Sequence, residues 1–306
     1  MRKLILVCAS LFTMVLSFSA SPVRAQSWVS PNGSDGNACT PAAPCATFQR
    51  AINVGASQIN CLGSGNYGLL TITTSLTIDC GAGNVGNIAN PSATAITINT
   101  TAAATIILRH LALNGLSAGT DVNGIDATSF FSGTLIVEDC MVHGYHNGTG
   151  IFFQPTSGRG LLQVSNSQIF DDFDGIVVAP GSAQIASVTL NRVESVGNTF
   201  FGVVLNGEGV VAGTMRDSVV GENGHSGVVA EAGQVFFTVE ESSIIDNLSA
   251  GIQTNSPGSS VKVGSSTIGG NGTGVLASAG SIVSFGDNHV SDNGSDGIFT
   301  STKALK

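Results

Sequence analysis

NTFFGVVLNGEGVVAGTMRDSVVGENGHSGVV, Asn198–Val229, contains the unit from which most of the chain is built. One figure occurs in it twice: an Asn, three residues, then Gly before two valines. The two copies, Asn198 with Gly202-Val203 and Asn223 with Gly227-Val228, lie 25 residues apart. Working outward, Gly followed by Ile or Val recurs at Gly124, Gly150, Gly175, Gly202, Gly227, Gly251, Gly274 and Gly297, at spacings of 23 to 27 residues. Three or four residues before most of these glycines stands an Asn: Asn147, Asn198, Asn223, Asn247, Asn271 and Asn293. Asp172 takes that place in the third repeat. Further upstream lies an aliphatic stretch with a small residue inside it, as in Val164–Ile169, Met215–Val220, Val239–Ile244 and Val263–Ile268.

Each repeat holds two or three short alternating strands broken by Asn and Gly turns. Such a unit cannot bury its apolar side alone and must stack on its neighbours. Asn and Gly tolerate the left-handed backbone of sharp corners, and stacked Asn side chains can bond from rung to rung. The expected fold is all-β: a single-stranded right-handed parallel β-helix, a solenoid of about ten coils with rungs ~4.8 Å apart. A β-propeller would need blades of ~40–50 residues, about twice this period.

Composition agrees. Of 306 residues, 42% are hydrophobic and 10% charged, with 40 glycines. That is too aliphatic for a disordered chain. A net charge of −9 argues against a nucleic-acid partner. No apolar run reaches the ~20 residues of a membrane span. Arg2, Lys3, the apolar Leu4–Leu16 and Val23-Arg24-Ala25 read as a signal peptide over residues 1–25. Its removal takes three basic residues and no acid, lowering the charge to −12. The expected mature organisation is an N-terminal strand and capping helix over residues 26–58, then a β-helix over 59–306. Thr47 caps a helix whose Phe48, Ala51 and Ile52 share a face and which Gly55 stops.

Secretion permits disulfides. Cys61 and Cys80 lie 19 residues apart in matching strand contexts, one short coil, which would stack their Cα atoms within reach of a bond. Cys39 and Cys45 close a small loop around Pro41 and Pro44. Cys140 aligns with Ser167, Ser218, Ser242 and Ser266 at an inward small position and is expected as a buried free thiol.

The opening WVSPNGSDGNACTPAAPCATFQRAI, Trp28–Ile52, resembles the start of many secreted right-handed β-helix proteins of the pectate-lyase-like superfamily. The following coils resemble its repeat in period and pattern. The resemblance implies the fold and an association with extracellular polysaccharide, but not one activity. The superfamily's lyase, polygalacturonase, methylesterase and epimerase motifs are not found; only Asp171-Asp172 gives a D-D pair. No catalytic residue is carried over.

The densest polar group is Phe170-Asp171-Asp172-Phe173-Asp174-Gly175. Asp171, Glu222 and Asp246 share one turn position in different coils, with His143 and His146 one rung before and His225 two rungs on. Asp171, Asp172 and Asp174 are candidate catalytic carboxylates and Ca²⁺ ligands; His143, His146, Glu222, His225 and Asp246 are candidate ligand-binding residues. The competing reading is that acids gather at turns for solubility. Arg109-His110 reads as a surface pair. The Asn-x-Ser/Thr sites at Asn32, Asn147, Asn247, Asn271 and Asn293 read as turns. Residues following each Gly-Ile/Val pair (Asp126, Phe152, Val177, Val204, Val229, Gln253, Leu276 and Phe299) should point outward. Such an apolar stripe should be covered by a loop or the C-terminal tail, or form a homo-oligomer contact. The functional expectation is a secreted protein associated with polysaccharide or another cell-envelope component, binding glycan or acting weakly on it. The alternative is a non-enzymatic structural or adhesive solenoid. Acids and a base converging in a groove would favour the first.

Overall fold

The computed structural model describes residues 26–81, 83–116 and 122–303; the expected signal peptide, residues 1–25, lies outside them. One sheet stacks ten parallel strands, from Leu70–Ile72 to Ser295–Gly297. The other sheet joins twenty strands and folds around a bend, making the second and third sides of each coil. Ten rungs on the first side give about nine turns of a parallel solenoid. Register follows the repeat: Ile125, Ile151, Ile176, Val203, Val228, Ile252 and Val275 are successive partners. All seven are buried in one continuous core. The last coil departs from the pattern. Gly297, not Ile298, pairs with Val275. Ile298 is therefore exposed, and Phe299 packs against the inner core instead of joining the outer stripe.

The N-terminal end is closed by strand β1 (Gln26–Val29) and helix α1 (Phe48–Asn53). Thr47 Oγ1 accepts from the Arg50 N–H at 3.1 Å, and Phe48 and Ala51 are buried. A helix over the first coil shields an edge open to pairing. The expected disulfides Cys39–Cys45 and Cys61–Cys80 are present, each with Cα atoms 4.6 Å apart. Asn60 pairs with Asp79, so 19 residues do make one coil. Cys140 is a buried free thiol, and burial pushes its pKa up to about 12.

Two corners repeat along the axis. At the bend between the second and third sides, His110, Asp139, Asn166, Arg192, Asp217, Glu241 and Ser265 are all left-handed, with φ of 49–55°. Behind them runs a small-residue ladder: the Cys140 N–H donates to Ser167 Oγ, Val193 to Ser218, Ser218 to Ser242 and Ser242 to Ser266, at 3.1–3.2 Å.

At the next corner the left-handed residues are Gly144, Asp171, Gly197, Glu222, Asp246, Gly270 and Asp292. The residue after each points inward. Asn198, Asn223, Asn247, Asn271 and Asn293 form a ladder in which each Oδ1 accepts the backbone N–H of the coil before, at 3.0–3.3 Å. Each Nδ2 from Asn198 to Asn271 also donates to the next Oδ1 at 2.8–2.9 Å. Asn is thus used for its inward amide; the left-handed position itself goes to acids and glycines. The repeated Gly has a reason as well. A methyl group on Gly175, Gly202, Gly227, Gly251 or Gly274 would come within 2.8–2.9 Å of the next coil's ladder nitrogen. Asn147 is not part of the ladder. It is exposed, and the buried Tyr145 takes its place, because Gly144 makes the turn three residues earlier.

Candidate functional site

The three clustered aspartates diverge. Asp171, left-handed, points to solvent with His146 Nε2 3.0 Å from its Oδ1. Asp172 is the ladder residue of its coil and fully buried; its Oδ1 accepts the Tyr145 N–H at 2.9 Å. Burial raises its pKa well above the ordinary aspartate value. Asp174 lies on the outer side of the ten-stranded sheet, where its Oδ1 accepts the Phe201 N–H at 3.1 Å. Burial lifts its pKa to about 6, with Glu231 adding to the rise. Asp171 faces solvent, Asp172 points inward, and Asp174 is held by the Phe201 backbone on the outer side of the sheet. Among the described residues, no three His, Cys, Asp or Glu side chains are placed to hold a metal. The calcium site expected on Asp171, Asp172 and Asp174 is therefore not formed, and Asp172 is sealed from substrate.

The shared turn position of Asp171, Glu222 and Asp246 is present. Glu222 and Asp246 border a shallow depression of about 550 Å³ with Gly224, Leu248 and Gly270. The histidines are scattered. His143 stacks on Phe170 at 4.8 Å, its pKa lowered by burial. His225 packs on Phe200 and Phe201 at 4.7 and 4.8 Å.

The outer apolar stripe is covered at its centre by its own chain. Val177, Val204 and Val229 are buried with Phe201, flanked by Phe152, Ala179 and Phe200. The turn Phe200-Phe201 supplies the expected loop, while Leu276 stays 37% exposed.

A better-formed site lies at the other corner. A groove of about 480 Å³ runs past five successive coils. Its apolar wall is Val85, Leu111, Ala112 and Met141; its polar groups are His110, Asp139, Asn166, Gln168, Arg192 and Glu194. The left-handed bend places four of these, His110, Asp139, Asn166 and Arg192, in one axial row. His110 is held between two carboxylates: Nδ1 is 2.9 Å from Asp79 Oδ1, and Nε2 is 3.8 Å from Asp139 Oδ2. Arg192 Nε donates to Asn166 Oδ1 at 2.5 Å, and Gln168 Nε2 to Glu194 Oε2 at 2.8 Å. Arg109 is paired to Glu138 at 2.6 Å on the adjoining strand. An imidazole between carboxylates can hydrogen-bond hydroxyls and act in proton transfer. Sequence reading took His110 for a surface residue. The row changes identity at every coil, so no motif marks it; only the 26–29-residue spacing of polar residues just before an inward position could have located it.

The fold is that of a right-handed parallel β-helix. Residues 174–304 match the family model described as right handed beta helix region. Pectate lyase Pel9A is similar in structure at a TM-score of 0.63 and 15% identity, over 92% of this chain and 78% of that one. The A-module of the mannuronan C-5 epimerase AlgE4 from Azotobacter vinelandii is similar at 0.52 and 14% identity, over 90% and 96%. No curated protein sequence matches the chain significantly.

Proposed function

We propose that this chain is a secreted polysaccharide-associated protein that holds a glycan segment in the groove between His110 and Glu194. The observation that carries the reading is the groove itself: an apolar wall facing a row of hydrogen-bonding groups along the solenoid axis. Sugars present such alternating apolar and hydroxyl faces. The glycan would lie across the rungs, along the solenoid axis, with His110 and Asp139 at one end and Arg192 and Glu194 at the other. Weak action on the chain would use His110, oriented by Asp79, as the proton-moving group. Similarity in fold to a pectate lyase and a mannuronan epimerase supports polysaccharide as the ligand class. Two disulfides support an oxidising compartment. Among the described residues no helix is long and apolar enough to cross a membrane.

A non-enzymatic adhesive role keeps one specific support. Asp171, expected as catalytic, and Glu222 and Asp246, expected as ligand-binding, line an exposed corner and, among the described residues, meet no base beyond His146. The test is a panel of neutral and acidic oligosaccharides, scored for binding and for new reducing ends. Wild type is compared with His110→Gln and Arg192→Asn, the latter chosen because Asn tolerates the left-handed backbone. Binding lost in both variants, with or without cleavage, supports the groove; binding equal to wild type in both refutes it.

A further inference from the structure

We infer that Asp172 is a neutral carboxylic acid serving as one rung of the amide ladder, and that its ionisation makes this coil a pH-sensitive joint in the solenoid. Every later rung from Asn198 to Asn271 has a side-chain nitrogen donating to the next ladder oxygen. At Asp172 the matching atom is Oδ2, which is buried and has no partner as an acceptor. The next ladder oxygen, Asn198 Oδ1, accepts the Asp172 N–H at 3.2 Å, and it is the atom to which a side-chain donor at this rung would be directed. Two acceptors cannot satisfy each other; a carboxyl O–H can donate where an amide would. No ion pair of the described residues involves Asp172. The titratable groups around it are Tyr145, whose buried phenol it pushes further up, and Asp171, whose negative charge also disfavours ionisation. Asp171 is in turn paired with His146. Asn198 and Ser195, on the following coil, are uncharged.

The joint sits where it matters. On the C-terminal side the corner is an amide ladder; on the N-terminal side it is the Tyr145 ring packed near Gly115 and Gly124. Asp172 links the two through the Tyr145 N–H. Its own coil also carries Asn166 and Gln168 of the groove, so opening this coil would disturb the groove wall. The folded-state pKa of Asp172 is raised, so the folded form keeps a proton that the unfolded form releases near pH 4. Stability from this group is complete below that pH and falls as pH rises, by about tenfold in the opening equilibrium per unit, until the folded pKa is passed.

Two measurements test this. In wild type at pH 6, the carboxyl ¹³C shift of Asp172 should be that of a neutral acid; a carboxylate shift overturns the inference. Asp172→Asn and wild type should then be melted from pH 4.5 to 9. The variant's advantage in melting temperature should widen with pH, and exchange of the Tyr145 amide should slow relative to wild type at high pH. A difference that stays constant with pH, or a variant that loses stability relative to wild type as pH rises, overturns it.

Discussion

Asn147 and Asn247 look interchangeable in the sequence. Each stands three or four residues before a repeat Gly, and each is followed by a Ser or Thr two positions on. Only Asn247 is buried in the ladder. Asn247→Ala should cost about 1–3 kcal/mol in denaturant unfolding, because it leaves neighbouring buried groups unpaired. Asn147→Ala should stay within about 0.5 kcal/mol of wild type. Equal effects would mean that the corner is held by something other than the ladder. Gly227→Ala should cost about 1–3 kcal/mol, since a methyl there meets Asn247 Nδ2 and the Gly251 carbonyl, each at 2.8 Å. The Asn and Gly spacing was legible because both residues answer to the same inward geometry. Which residue turned the corner was not: a left-handed residue facing water can be Gly, Asp or Glu, and the sequence pattern is silent about it.

The outer cluster belongs to the turn that carries Phe200 and Phe201. Alternation along the strand placed Val177, Val204 and Val229 outward correctly. It could not say what covers them, because the cover comes from a turn one residue longer than that of the coil before, four steps from Asn198 to Gly202 against three from Asp172 to Gly175. Phe201→Ala should therefore lower stability by about 3–5 kcal/mol without changing the sedimentation coefficient. A shift to a larger oligomer in wild type, lost in the variant, would show that the ridge is shared between copies. The same turn holds Asp174 through the Phe201 N–H. Its folded pKa of about 6 lies above the ordinary aspartate value, so the stability it confers is complete below about pH 4 and is lost as pH rises through 6. Asp174→Asn should reduce the fall of the melting temperature across that window; an unchanged slope would place the titration elsewhere. Cys61–Cys80 was legible from matched strand contexts alone. Replacing both cysteines with Ser should cost about 3 kcal/mol for a loop of this length.

At the scale of the whole molecule, the solenoid turns a simple repeat into long axial rows, and function depends on which row is used. The repeat, its period and its stacking were readable because burial imposes the same demand on every coil. The groove was not readable, because His110, Asp139, Asn166 and Arg192 share only a backbone conformation. The acidic corner drew attention instead, since three aspartates within four residues are conspicuous in a chain that is 10% charged. Folding sends those three in different directions and brings a His and two acids together across 60 residues of sequence, from Asp79 to Asp139. The most direct test of the groove as the binding surface is a glycan array probed with the wild-type protein, the pair Asp139→Asn/Arg192→Asn and the pair Glu222→Gln/Asp246→Asn. The account predicts that wild type retains at least one glycan, that the groove pair weakens it by about tenfold or more, and that the acidic-corner pair retains it. A groove pair that is folded and binds as wild type does, or a wild type that retains no glycan, would contradict it.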